Sequence, residues 1–319
     1  MRSKKLKTFF LMILSLCLVS SLSFAQEEAP PERLDPLQTI TEIPSTSWKT
    51  LKVSFSKESI LPWSIIIGST ALLYHYDADL FEDAQKKGRD WGIGNSENTK
   101  TVLEYEDIPL LRLPSDLGST LYFLGDGWTH FSIAGGFFFT GLAKGQEYNR
   151  AYNTGLQIVH GMFVSTMFNQ AIKRTTGRES PSERTEARGR WRPFPSVKAY
   201  QDHTSMYDAF PSGHVMTATL TFTVINENYP EYSYITVPLA TTWVTLLGWQ
   251  MMNNAVHWAS DYPLAIAMGY VIGKQAVGMG KKLKPANSKD DKPSTETAQW
   301  HFFPSQFDGV PTLNLIKEF

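Results

Sequence analysis

Residues 209–222 read AFPSGHVMTATLTF. From Val215 onward it is an apolar, helix-compatible run, opened by Pro211, Ser212, Gly213 and His214. Serine is a good helix N-cap, and glycine lets the backbone come close to a ligand. A helix start presents unpaired N–H groups and the positive end of the macrodipole, so it suits an anion. A histidine placed there can hand a proton to whatever is bound. The plainer alternative is a capped helix with an ordinary histidine, and the rest of the chain has to decide between them.

Charge is unevenly spread around this stretch. Residues 59–76, 127–143, 151–172, 209–226 and 232–260 contain no Asp, Glu, Lys or Arg. Each is long enough for a helix, and several approach bilayer length. They also carry His, Asn, Gln, Thr and Gly, which suit buried helices of a soluble bundle equally. The expected helices run over about 60–76, 115–143 (broken at Gly125-Asp126-Gly127), 151–174, 214–228, 232–252 and 256–277. Residues 77–107, with nine acidic and four basic residues, read as a solvated connection with short helices. No sheet is expected in the body. The fold class is therefore all-α, a helical bundle of about six core helices that admits a transmembrane arrangement.

The ends read differently. In residues 1–25, Arg2, Lys4, Lys5 and Lys7 precede an apolar run and a Ser23-Phe24-Ala25 cleavage site, the pattern of a signal peptide. Residues 26–58 read as an irregular, Pro-containing lead-in ending in a short amphipathic piece. Residues 59–284 form the helical domain, 285–298 a flexible linker, and 299–319 a tail that alternates around Asp308-Gly309 as a small hairpin. The single cysteine, Cys17, lies in the leader, so the remainder forms no disulfide. Without the leader's four basic residues, acidic side chains outnumber basic ones by five. No strongly basic surface is implied, and nucleic acid is excluded as a partner.

Two further polar clusters fall at helix ends. The third helix finishes in NQAIKRTTGRESP, which brings Lys173, Arg174 and Arg178 together. The sixth opens with NNAVHWASDYP, where His257 and Asp261, four apart, would share one helix face. A carboxylate so placed fixes an imidazole tautomer. In an up-and-down bundle these two ends and the Ser212 corner lie on one side. Cations, a helix N-terminus and two histidines together suit phosphoryl transfer.

The chain resembles the type 2 phosphatidic acid phosphatase superfamily, which also includes bacterial acid phosphatases and vanadium haloperoxidases. The signature K-x6-R-P, P-S-G-H and S-R-x5-H-x3-D is met here by K-RTTGRE-S-P at 173–181, P-S-G-H at 211–214 and Q-M-MNNAV-H-WAS-D at 250–261. The resemblance covers about residues 115–278. It implies an acid-phosphatase-like bundle that needs neither cofactor nor metal. His257 would be the nucleophile forming a phosphohistidine, held in its reactive tautomer by Asp261. His214 would protonate the leaving alcohol, and Lys173, Ser212 and Gly213 would hold the phosphoryl oxygens.

This chain departs from the pattern at Ser180, where the family has arginine, and at Gln250-Met251, where it has Ser-Arg. Both missing arginines normally bind the phosphoryl group, and a lost charge-assisted contact costs about 1.5–3 kcal/mol. Arg178, two residues before the first departure, is the expected replacement. His75, His130, His160 and His301 read as packed or hydrogen-bonded, and Asp126 as a helix-break residue. The expected partner is a phosphorylated lipid or small phosphate ester, for a protein exported to the cell envelope. It would sit in the inner membrane or be soluble in the periplasm. The competing expectation is a phosphate-binding envelope protein that keeps the fold without turnover.

Overall fold

Hydrophobic periodicity organises the chain into helices of unequal length. The structure, a computed structural model, describes residues 31–106, 108–280, 299–307 and 310–318. The signal-peptide and linker expectations at 1–25 and 285–298 lie outside the described residues. Among these residues the helices are α1 (Gln38–Thr41), α2 (Ile43–Ser54), α3 (Ile60–Asp90), α4 (Leu117–Phe123), α5 (Gly127–Lys144) and α6 (Asn149–Thr176). They continue with α7 (Val197–Asp202), α8 (Gly213–Asn228), α9 (Ser233–Asn253) and α10 (Tyr262–Val277). The fold is an all-α bundle whose long members, α3, α5, α6, α8, α9 and α10, match the six expected core helices.

Helix α8 is the central rod, with buried residues, threonines among them, on all of its sides rather than in one stripe. Val215, Met216 and Ala218 pack against Leu247 and Met251 of α9 and Ala265 of α10. Leu220 and Val224 pack with Ile158 and Val164 of α6 and with Ile272 and Ala276 of α10. Glycines on α10 make the close approach possible: a Cβ at Gly269 would lie 2.5 Å from the Met216 carbonyl oxygen, and one at Gly273 2.8 Å from Thr223 Cβ.

Four segments differ from the sequence expectation, each for a physical reason. Helix α3 continues through residues read as a solvated connection. Asp77, Phe81, Ala84 and Gly88 recur at helical spacing on its buried face, and its charges pair along the helix, Lys86 with Asp90 at 3.0 Å and Lys87 with Asp83 at 2.5 Å. The lead-in read as irregular holds α1 and α2. Helix α2 starts with proline in its first turn, where a missing N–H costs nothing. His160 of α6 ties down both, with Nδ1 donating to the Thr39 carbonyl at 2.9 Å and Nε2 accepting from Thr46 Oγ1 at 2.8 Å. A two-stranded hairpin, β1 (Thr99–Tyr105) with β2 (Ile108–Pro114), occupies a stretch for which no sheet was expected. Its Thr, Val, Leu and Tyr residues are good strand formers that the nearby acidic residues mask.

The fourth difference matters most. The last helix begins at Tyr262, not Val256, because Pro263 favours the first turn and because Trp258 is extended (ψ 156°). His257 therefore precedes the helix and does not share a helix face with Asp261. The bilayer-length expectation is also corrected: no described helix is long and apolar enough to cross a membrane. Buried polar residues such as Asn153, Gln157 and Asn169 interrupt the charge-free runs.

Residues 281–319 form a unit of their own. Within it, β3 (Gln299–Phe307) pairs antiparallel with β4 (Val310–Glu318), from Gln299 opposite Glu318 to Phe307 opposite Val310. This is the hairpin expected of the tail.

Candidate active site

Three chain segments meet at one end of the bundle. Helix α6 stops at Gly177, whose φ of 58° is easy only for glycine, and its N–H donates to the Lys173 carbonyl at 2.8 Å. This leaves Lys173 in the last turn, buried, with Nζ 3.4 Å from Asp208 Oδ2. Helix α8 starts at the same end, where the Ser212 side chain accepts from the Val215 N–H as N-cap. The Ser212 N–H donates to the Asp261 carbonyl at 3.2 Å, tying the α8 start to the segment before α10. The ring centroids of His214 and His257 are 5.7 Å apart, and Tyr122 of α4 covers His214 at 5.1 Å. Gly125 clears this space, since a Cβ there would fall 2.6 Å from His214 Cβ.

The tautomer of His257 follows from its surroundings. Nδ1 faces the Ala209 carbonyl at 2.7 Å, and a carbonyl only accepts, so Nδ1 carries the proton and Nε2 is left with a lone pair. Asp261 Oδ2 is further off, 3.6 Å from Nδ1. Burial, then the Lys173 charge, pushes His257 down to about 3. Burial, His257 and Lys173 do the same to His214. Both rings are neutral near pH 7.

Behind the histidines lies a buried ionic network. Asp261 accepts from the Trp258 N–H at 2.7 Å and from Arg178 Nη1. Arg178 is fully buried; its Nη1 also donates to Ser260 Oγ at 2.7 Å, and its Nη2 donates to Asp77 Oδ2 at 2.7 Å and to the Arg188 carbonyl at 3.0 Å. Asp77 in turn accepts from the Ser260 N–H at 3.0 Å and from Ser260 Oγ. Burial outweighs the attraction of Arg178 and raises Asp261 to about 6. The Arg178 carbonyl also accepts from the Ala209 N–H at 3.0 Å. One residue thus fixes both groups that face His257 Nδ1.

These contacts revise two residue expectations. Arg178 was expected to replace the missing arginine at a phosphate, but its guanidinium is engaged between two carboxylates, Asp77 and Asp261. Asp261 was expected to be the direct orienter of His257, but the Ala209 carbonyl takes that bond, because the extended Trp258 backbone turns Asp261 toward Arg178. The positions that depart from the motif are packed inside. Ser180 is buried, Met251 belongs to the α8–α9–α10 core, and Gln250 Nε2 donates to the Gly94 carbonyl at 2.9 Å. Lys173, Ser212, Gly213, His214 and His257 are brought together as expected from their places at helix ends.

Asp77, Asp208 and Ala209 were missed. The stripe of Asp77, Phe81, Ala84 and Gly88 is the signal that could have found Asp77, a carboxylate at the head of an otherwise small or apolar helical face. Nothing local marks Asp208 or Ala209, whose parts depend on contacts across the fold. Trp258 is fully buried, its Nε1 donating to the Glu179 carbonyl at 2.8 Å, which makes it a packing residue. Asp126 caps α5 by accepting from the Trp128 N–H at 2.8 Å.

Residues 154–284, which contain all three motif segments, match the model of the PAP2 superfamily. No curated protein matches the chain. Among solved structures, the chain is similar to "the first transmembrane PAP2 type phosphatidylglycerolphosphate phosphatase from Bacillus subtilis". The two are 17% identical with a TM-score of 0.42, covering 79% of this chain and 98% of that one.

Proposed function

We propose that the protein is a metal-independent phosphatase, a reading supported by the match of residues 154–284 to the model of the PAP2 superfamily. It would hydrolyse a phosphate monoester, or a lipid phosphate or pyrophosphate, through a phosphohistidine at His257. The observation that carries this reading is the Nδ1–H···O=C bond from His257 to Ala209. It leaves Nε2 unprotonated, so the ring is a nucleophile without further activation. His214 sits beside it to move the proton of the leaving alcohol. Lys173, the Ser212 hydroxyl and the N–H groups of the first α8 turn supply the phosphoryl contacts. Asp261 and Arg178 act through other groups, as positioning residues.

Association with a membrane is supported by the exposed apolar side chains Ile60, Leu61, Ile65 and Ile67 of α3 and Ile235 and Leu239 of α9. A lipid phosphate would reach the site from such a surface. Phosphate release in the presence of a chelator, wild type against His257→Ala, tests the hydrolase reading. Release that disappears in the variant supports it, and equal release from both overturns it.

A second reading, a phosphate-binding envelope protein without turnover, is favoured by one observation. Met251 and Gln250 occupy the second motif arginine's segment as core residues, and Arg178 is committed elsewhere. Absence of release from folded wild-type protein selects this reading.

A further inference from the structure

The charges around the two histidines decide which form of a phosphoryl group the site can hold. Among the described residues, Lys173 is the cation placed at the histidines, and it already faces Asp208 at 3.4 Å. Arg178 is enclosed between Asp77 and Asp261. The remaining arginines of the neighbouring segment have partners of their own. Arg174 donates to Gln170 and lies over Tyr200, Arg184 lies over Phe81, and Arg188 lies over Tyr74. Arg190 is 3.9 Å from Glu186, and Arg192 pairs with the buried Glu179. At and behind the site, then, two cations, Lys173 and Arg178, stand against three carboxylates, Asp77, Asp208 and Asp261.

The groups facing the histidines come from every packed element. Tyr122 of α4, His130 of α5, Lys173 of α6 and His257 surround His214. Lys173, Asp208, Arg178, Asp261 and the Ala209 carbonyl surround His257. Neither ring adds positive charge near neutral pH. Like charges in a site of low polarity repel strongly. A doubly charged phosphoryl group would enter a region whose carboxylates already outnumber its cations. One negative charge, by contrast, is met by Lys173 and by the start of α8.

From this count of charges we propose that the site takes a phosphoryl group bearing a single negative charge and excludes the dianion. The source is a phosphomonoester in its monoanionic form or the singly charged centre of a diester. The inference rests on the placement of a phosphoryl group at this site, as proposed above.

For a monoanionic monoester the chemistry balances without a protonated His214 at the start, the positive charge developing on the His257 ring as it is phosphorylated. The His257 Nε2 lone pair forms the N–P bond while the P–O bond to the alcohol breaks. The departing oxygen keeps that electron pair and takes the proton carried by the phosphoryl group, passed through neutral His214. Water then attacks phosphorus and gives one proton through His214 to a phosphoryl oxygen, while the N–P bond breaks, its electron pair returns to Nε2, and phosphate leaves as the monoanion.

The test is binding to the full chain by calorimetry from about pH 7 to about pH 9, a window in which the histidines, held near 3, stay neutral and Asp261, raised to about 6, stays largely ionised. The probes are an alkylphosphonate, which gains its second charge inside this window, and the monomethyl ester of the same phosphonate, which cannot. The expected phosphonate affinity falls about tenfold per pH unit above its second ionisation. The ester's affinity should stay flat. In Asp208→Asn, which frees Lys173, binding of the dianion at high pH should strengthen. Phosphonate affinity that is flat or rises with pH overturns the proposal. So does a parallel fall for both ligands, which would report a titrating protein group, and so does binding of neither.

The expected profile without phosphate release from any ester leaves this inference standing while the hydrolase reading fails. Turnover of a monoester, compared with its methyl diester, separates the two sources.

Discussion

Replacing Asp77 removes the far anchor of the buried network while touching neither histidine. Its two oxygens accept from Arg178 Nη2 at 2.7 Å, from the Ser260 N–H at 3.0 Å and from the Ser260 hydroxyl, and neither Asp77 nor Arg178 has any exposed side-chain surface. Asp77→Ala leaves a guanidinium short of one of its two carboxylates and a backbone N–H without a partner. Breaking a buried ion pair from one side costs about 3–5 kcal/mol. Asp77→Asn keeps the shape and one acceptor, and its cost falls to about 1.5–3 kcal/mol, that of a charged hydrogen bond. Urea unfolding at neutral pH measures both, as a lower midpoint at unchanged slope. The network also sets Asp261 and, through the Arg178 backbone, Ala209. The Asn variant should therefore lose kcat with little change in KM, since substrate touches none of these groups. A loss below about 1 kcal/mol for Asp77→Ala, or an Asn variant with unchanged kcat, would refute the network as an organiser of the site.

Gly269→Ala places a Cβ 2.5 Å from the Met216 carbonyl oxygen and should destabilise the protein by about 1–3 kcal/mol through forced separation of α8 and α10, read from the same unfolding curves. Restoring a motif arginine by Met251→Arg should cost several kcal/mol rather than improve activity, because it buries an unpaired charge in a core position of zero exposure; circular dichroism melting checks it. Stability should fall with acid. His214 and His257, held near 3, and His130, held near 4 by burial, stay neutral in the folded chain but take up protons on unfolding below their ordinary value of 6.5. Asp261, raised to about 6, acts in the opposite sense and offsets one of the three. The net slope is roughly 3 kcal/mol per pH unit at its steepest, between the histidines' ordinary value and their folded ones. A urea midpoint at pH 5 equal to or above that at pH 7 contradicts this.

The parts of the fold that were legible in the sequence are those in which one residue pattern has one physical outcome. Long runs without charge had to be helices, and Ser212 before an apolar run had to be a cap. The Asp126 turn had to separate two helices. The convergence of Lys173, His214 and His257 followed from helix ends sharing one side of a bundle. What escaped was long-range. The charges of residues 77–90 look like those of a loop until Asp77 finds Arg178 across 101 residues of chain. The spacing of His257 and Asp261 fits a helix face, but Pro263 and the extended Trp258 place them on a turn instead. Arg178 was read by its distance from the motif position, and that distance carries no information about which way a buried guanidinium turns.

In the mechanism proposed above, His257 Nε2 becomes covalently phosphorylated during turnover. Rapid quench into alkali, which preserves phosphohistidine, followed by peptide mass spectrometry, tests it directly on wild type and His257→Ala incubated with a phosphomonoester. One phosphoryl group is expected on the peptide containing His257, at Nε2, and none in the variant. Turnover of substrate with no phosphorylated His257, or with the label on another residue, contradicts it.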